Sequence, residues 1–521
     1  MKEKLLLLAM LMPLTLLNGC NNKVSYDPNN FLETGDKIVK DKITLRFFAP
    51  LHSLHTKEGY NAMKLFKKME EITNIHIEWE YGSTQKYDEK RAGQWTSKNQ
   101  VDAFFLWNST EEVNKYGKNQ TIYDLTDYIY QYAPNYTSIL NSNLEYKKIA
   151  TMDDGRMYST LSINDVPRDQ TFKQYINKEW LDNLNLKMPT NVDELYNVLK
   201  AFKNDDPNGN GIPDEIPLSS ASLNQTRNFL MSAFGYVSTG FEVNDENKII
   251  YVPETNNYKA YLEYTAKLFK EGLLDNNTFN MDERDLSAKG ELVGCFDNSA
   301  AYLIVGEDND EKYDAVSALT SSINNKQMWL GFNTVSPSAI IVPKTSPYVK
   351  EIVRWIDFLY SEKGIELQSF GEEGVDFTYD DESKTSFTFN VPEGKNIEEF
   401  RGTITPGVGL GVVTYWKKDF VLKDNNKFTK RINKVVEDAK YMDYLKIPVP
   451  ELIYTSNEQS RVAIIETDLD IYMQVFEEKI VSGKLELTDD EWNKHLANLK
   501  KLKIDELNKI KNDAYERYLK R

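Results

Sequence analysis

Ten residues in the middle of the chain, DPNGNGIPDE (206–215), carry three carboxylates, two asparagines, two glycines and two prolines. Laid on a calcium-loop template, Asp206, Asn208 and Asn210 occupy the first, third and fifth positions. Gly211 takes the sixth, the Ile212 carbonyl the seventh and Asp214 the ninth. A glycine at the sixth position permits the sharp turn that folds oxygens inward. Pro217 stands at the twelfth position, where a bidentate glutamate belongs, and Glu215 is the nearby carboxylate left to replace it. Pro213 and Pro217 exclude an ordinary exiting helix, so the expectation is half an EF-hand: an entering helix and a loop. The bland alternative is a solvated Asn-Gly turn, but a turn needs no oxygens at alternate positions. With every position filled by protein, calcium here is expected to be structural and to activate no water.

Other chemistry is thin. Only four histidines occur; His52 and His55 stand three apart with no cysteine or third histidine near, which reads as a mobile loop, not a metal pair. Nucleophile elbow, HExxH and glycine-rich phosphate loop are all missing, and no catalytic residue is assigned. The enzyme that could still hide here is a glycoside hydrolase built on a carboxylate pair. Acidic residues outnumber basic ones by 80 to 63, a formal charge of −17, which disfavours nucleic acid as a partner. Cys295 is the one cysteine left beyond the first twenty residues, so an internal disulfide is excluded; in LVGCFD it reads as a small buried side chain.

The elements that must position the loop alternate strand and helix. KITLRFFAP (42–50), IHIEWEY (75–81) and VDAFFLW (101–107) read as strands, separated by GYNAMKLFKKMEEITN (59–74) and YDEKRAGQWTSKN (87–99) as helices. This βαβαβ rhythm predicts a doubly wound α/β domain with ligands at the carboxyl ends of its strands. A second unit begins near TFKQYINKEWLDNLNL (171–186). In PTNVDELYNVLKAFKND (189–205), Thr190 or Asn191 can cap a helix that leads into the calcium loop. Charged helical sequence closes the chain from about Ser456.

MKEKLLLLAMLMPLTLLNGC has a basic start, a short apolar run and a small-residue-then-cysteine end, the proportions of a signal peptide. It resembles a bacterial lipobox with Asn18 as a departure, which makes Cys20 the lipid-bearing N-terminus; residues 21–42 read as a tether.

Several stretches together resemble the extracellular solute-binding lipoproteins of ABC importers, in the long oligosaccharide-binding branch that includes alginate-oligosaccharide-binding proteins. They are DGRMYS (154–159), the run 177–218 that contains the calcium loop, LFKEGLLD (268–275), VRWIDFLYSEKGIEL (353–367), GEEGVDFTY (371–379) and DAYERYLKR (513–521). The resemblance implies two α/β lobes joined by a hinge, with sugar trapped between them and the closed form recognised by a membrane permease. Lobe one would hold 43–170 and 331–375, lobe two 171–330 and 376–521. It also supports Glu215 as the substitute ligand and implies an anchored, extracellular monomer. A sensor lipoprotein that presents ligand without importing it would share every one of these features.

Sugar rings need aromatic platforms and hydrogen-bonding neighbours. Trp107 ends a buried strand with Asn108 beside it; Tyr415 and Trp416 follow the glycine-rich run in GVGLGVVTYWKKDF (407–420), expected as a lobe-two loop. Trp329 and Tyr81 are weaker candidates, while Trp180, Trp355 and Trp492 lie in amphipathic helices and are expected in cores. Arg227 and Lys417 are basic residues able to favour a charged sugar in an otherwise acidic protein.

Overall fold

The computed structural model describes residues 26–521 apart from 54, 57 and 99; the signal segment and Cys20 lie outside the described residues. Ten strands form the two main sheets: β1 (Ile43–Leu51), β2 (Ile75–Ser83), β3 (Ala103–Phe105), β4 (Thr160–Asn164), β5 (Lys173–Asn177), β6 (Ile216–Leu218), β7 (Val293–Asn298), β8 (Tyr313–Ala315), β9 (Val335–Ile341) and β10 (Tyr415–Trp416).

The first sheet runs β10-β4-β9-β3-β1-β2. β1 pairs parallel with both β2 and β3, as the βαβαβ spacing requires, and β9 enters antiparallel to β3 and β4. Behind it the rings of Trp355 and Phe47 meet edge-on at 5.1 Å, with Trp79 and Phe105 closing the cluster. The second sheet runs β8-β5-β7-β6 and packs on a separate core. Trp180 and Trp492 are buried there, Cys295 lies fully buried on β7, and Trp355 is buried in the first core, all as expected. The fold is thus α/β with two lobes. Among the described residues no helix is long and apolar enough to cross a membrane.

Two sequence boundaries need correction. Tyr415–Trp416 hydrogen-bonds in parallel to β4, in the first sheet and not in a lobe-two loop. The segments on either side of it pack on lobe one as well: Phe377, Phe387, Phe389, Phe400 and Phe420 cluster with Ile365 and Phe370, and Lys64 pairs with the buried Asp376. Residues 26–42 are not a free tether. Ile38 and Val39 are buried in the first core, the Asn30 side chain brackets Asp41, and Arg354 donates to the carbonyls of Leu32 and Gly35.

The C-terminal helices Ser456–Val481, Asp489–Lys501 and Ile504–Lys520 cover the second lobe and reach the first. Tyr518 donates to Glu145 at 2.9 Å, and in the segment just before these helices the Tyr454 carbonyl accepts from Asn114 at 2.7 Å and Glu451 from Thr110 at 2.6 Å.

Candidate ligand cleft and calcium loop

β3 ends at Phe105, and the next two residues adopt left-handed backbone, Leu106 at φ +63° and Trp107 at φ +54°. Two such residues in succession cost about 1–2 kcal/mol each, so something must hold them. Leu106 donates to the Ala339 carbonyl at 2.8 Å, and its own carbonyl accepts from Tyr87 at 3.0 Å. Arg91 donates to the Trp107 carbonyl at 2.7 Å, and the indole N–H reaches the Leu410 carbonyl at 3.1 Å. The strained turn leaves Trp107 38 % exposed, its ring on the wall of a cavity of about 350 Å³.

That cavity lies where β3 and β4 end and β9 begins. Ser162, Asn164, Ser336 and Ser338 supply hydroxyls and an amide along it, and Asp169, Phe332 and Leu410 complete the wall. The Ser338 hydroxyl lies 3.0 Å from that of Ser162 and 2.9 Å from that of Ser336, a polar ladder on adjacent strands. An aromatic plate facing a row of small polar groups binds a ring that is apolar on its face and polar at its edge.

Asn108 does not face the cleft. It is buried, donates to the Ser338 and Phe104 carbonyls and accepts from Arg91 at 2.6 Å, so it braces the turn beneath Trp107. Trp416 lines a small hollow that shares Val412 with the cleft. The Arg401 guanidinium lies 5.6 Å over its ring, and its buried indole N–H has no partner. Tyr415, in the same hollow, donates to Asp165 at 2.6 Å, and Tyr146 takes the other carboxylate oxygen at 2.8 Å. Trp329 is 3 % exposed, its ring tilted against Tyr441 at 4.5 Å with its N–H on the Phe172 carbonyl. It lines a hollow that shares Phe332 with the cleft. Tyr81 accepts from the Tyr60 amide at 2.8 Å and packs on Gly59; burial pushes its phenol up to about 12, and it supports the loop after β1. In that loop His55 is buried against the Val408 carbonyl at 2.8 Å, which holds the loop at that residue, and burial lowers its ring basicity.

Asp169, the serine ladder and Asp297 were missed by sequence reasoning. The ladder had a signal: in TLSIND (160–165) and TVSPSAII (334–341) polar residues recur at every second position of otherwise apolar strands. Asp297, at the end of the buried run VGCFDN, had none beyond its charge.

The 206–215 loop is entered from the helix Val192–Asn204, which Asn191 caps through the amides of Asp193 and Glu194, while Thr190 donates to Glu194. The loop exits into β6 with no second helix, as the prolines require. Gly209 and Gly211 take left-handed backbone at φ +70° and +74°. Asp206 accepts from the amides of Asn210 and Gly211 at 3.1 and 3.0 Å, and Asn208 and Asn210 both approach Asp214 at 3.3 Å. Glu215 has a buried carboxylate oxygen with no partner, and burial, then Asp214 and Asp206, push its pKa up. Burial and two neighbouring carboxylates acting on a third are an arrangement that a cation would relieve. Among the described residues no cluster of three His, Cys, Asp or Glu side chains stands at metal-binding spacing. The loop's donor set instead reaches its number through two asparagines and a backbone carbonyl, and these residues fit a calcium ion.

Fold and cleft define a two-lobe ligand-binding protein whose aromatic-and-hydroxyl wall lies at the strand ends of one sheet. The chain belongs to the bacterial extracellular solute-binding proteins, whose family model matches residues 52–366. It is 27 % identical, over 97 % of its length and 96 % of the relative's, to the fructooligosaccharide ABC transporter substrate-binding protein FusA of Streptococcus pneumoniae. The structure of FusA in complex with kestose superposes with a TM-score of 0.78 at 26 % identity, covering 92 % of this chain and 99 % of that one; an EF-hand mutant of FusA superposes equally well. Lipoprotein LipO of Bacillus subtilis is 23 % identical over 69 % of this chain and 72 % of its own. Alginate-binding protein AlgQ2 shares the fold, with a TM-score of 0.75 at 18 % identity over 92 % of this chain and 99 % of that one.

Proposed function

We propose that this protein captures an oligosaccharide outside the cell and delivers it to the permease of an ABC transporter. The observation that carries the reading is Trp107, held exposed by a strained and heavily braced turn, opposite a ladder of serine hydroxyls. Full-length similarity to a fructooligosaccharide-binding protein points to the same ligand class. Binding followed by hinge closure, with no bond made or broken in the sugar, is the whole of the mechanism. Trp107 stacks on a ring face, while Ser162, Asn164, Ser336 and Ser338 take its hydroxyls. Closure brings the Trp329 and Phe332 side down on the opposite edge. The lipid anchor at Cys20, after Leu17-Asn18-Gly19, keeps the protein near its permease, and the likeness to LipO agrees with it.

Trp107→Ala weakens oligosaccharide binding by about tenfold or more, or ~1.4 kcal/mol, whereas Tyr81→Phe stays within about twofold. Isothermal titration calorimetry against neutral oligosaccharides checks both. Equal affinities for the two variants would place the ligand elsewhere. Incubation with the same sugars releases no new reducing ends; their appearance would mean a hydrolase.

Calcium in the 206–215 loop would be held by Asp206, Asn208, Asn210, the Ile212 carbonyl, Asp214 and Glu215, and would supply structure only. The entering helix and β6 are tied to each other through it, so binding stabilises the native lobe. Calcium at about ten times its dissociation constant adds about 1.4 kcal/mol to unfolding free energy. Thermal unfolding with calcium and with chelator reads this directly, and Glu215→Gln shrinks the difference. A melting temperature indifferent to calcium would reduce the loop to a turn.

A further inference from the structure

Gln174 and Asp297 stand directly opposite each other on β5 and β7, so their side chains leave the sheet on the same face. Both are buried, Gln174 completely and Asp297 to 3 % exposure. Neither Oε1 nor Nε2 of Gln174, and neither carboxylate oxygen of Asp297, has a hydrogen-bond partner. Native interiors leave few polar atoms unpaired, and four on one neighbouring pair call for a visitor that supplies the missing bonds.

The place fits such a visitor. Asp297 opens on a hollow of about 10 Å³, room for a single hydroxyl or water, walled by Phe172, Phe229, Trp329 and Asn228 and sharing Phe332 with the cleft. No lysine or arginine is among the described residues that line it. The titratable groups that face Asp297 are the Glu283 carboxylate, from the helix Glu283–Lys289, and the Tyr441 phenol, from the helix Tyr441–Tyr444. None of these surroundings welcomes a second negative charge.

We propose that Gln174 and Asp297 form a hydroxyl-binding subsite at the lobe-two floor of the cleft, specific for a sugar ring that carries no carboxylate. This rests on the cleft being the saccharide site. Burial, with Glu283 adding to it, pushes the Asp297 carboxyl up to about 7. In mildly acid medium it is therefore a neutral acid, which donates one hydrogen bond and accepts another. The Gln174 amide beside it offers the complementary pair, and the hollow takes one ring hydroxyl, which both donates and accepts there. A uronate ring would bring its carboxylate against Asp297 and Glu283 with no cation to offset it.

The probes are kestose, a neutral trisaccharide, and trigalacturonate, titrated calorimetrically into the mature chain at about pH 6 and about pH 8.5. Wild type binds kestose and not trigalacturonate, and loses about tenfold or more in kestose affinity between the two pH values. Asp297→Asn binds kestose within about threefold of wild type at the lower pH and loses the pH dependence; Asp297→Ala is weaker by about tenfold or more at both. If Asp297→Ala does not fold, the asparagine variant and the pH series still decide. Wild type and Asp297→Ala binding kestose equally would overturn the subsite and leave the saccharide cleft standing. A preference of wild type for trigalacturonate would overturn the uncharged-ring specificity. Wild type that binds neither probe overturns the saccharide reading, and the subsite falls with it.

Discussion

Arg227→Ala lowers the unfolding free energy by about 3–5 kcal/mol. Arg227 stands on the helix Leu223–Leu230 and pairs with Glu477 of the long helix Ser456–Val481, whose side chain is 1 % exposed. Tyr261, from a third helix, donates to the other Glu477 oxygen at 3.0 Å. Burial works against the guanidinium charge, but Glu477 outweighs it and raises the arginine pKa. Removing the arginine leaves a carboxylate enclosed with one phenol for company, and an uncompensated buried charge is the costliest form of such damage. It also loosens the C-terminal helices, the last of which carries the Tyr518–Glu145 contact to the first lobe. Urea unfolding of the wild type, Arg227→Ala and Arg227→Met/Glu477→Leu measures it. The double variant recovers most of the loss, because it removes both charges and keeps the volume. A single-variant loss under about 1 kcal/mol would mean that water reaches Glu477 and that the pair is a surface one.

Arg227 also shows where sequence reading stops. As an isolated basic residue in an acidic protein it suggested a contact for a charged sugar, yet its partner lies 250 positions along the chain and no local pattern names it. What was legible had short-range causes. The parallel strands Ile43–Leu51 and Ile75–Ser83 follow from apolar periodicity, the half EF-hand from ten consecutive residues, and the core tryptophans from helical spacing. Trp107 was legible because a strand end in a doubly wound sheet is a binding position whatever the partners. Asn108 looked equivalent, but Arg91 and the Ser338 carbonyl decide its role, and both are tertiary. Tyr415–Trp416 is a strand of two residues, too short for any periodicity, made by β4 and not by its own sequence. Residues 26–42 read as a tether because polarity averages over the window, while Ile38 and Val39 alone fasten it to the core.

Asp297→Asn stabilises the unliganded protein by about 2–4 kcal/mol at about pH 8 and by close to nothing at about pH 4. The sign follows from the direction of the shift. In the unfolded chain an aspartate titrates near 3.9, whereas in the fold burial pushes Asp297 up to about 7. Below both values the residue is neutral in either state and contributes no pH dependence. As pH rises from about 4 to 7 the unfolded chain releases its proton and the folded one does not, so folding grows steadily less favourable. Above about 7 both are ionised and the full cost of an enclosed, unpartnered carboxylate remains. Asparagine keeps the shape and has no proton to lose. Thermal unfolding of wild type and Asp297→Asn across this range gives two curves that diverge with pH and run parallel above it. Curves that stay parallel throughout would mean that the carboxylate is solvated in the free protein. Divergence would instead mean that the chain retains a group its own stability opposes at neutral pH. A residue with that profile is accounted for by the ligand it meets and not by the fold that surrounds it.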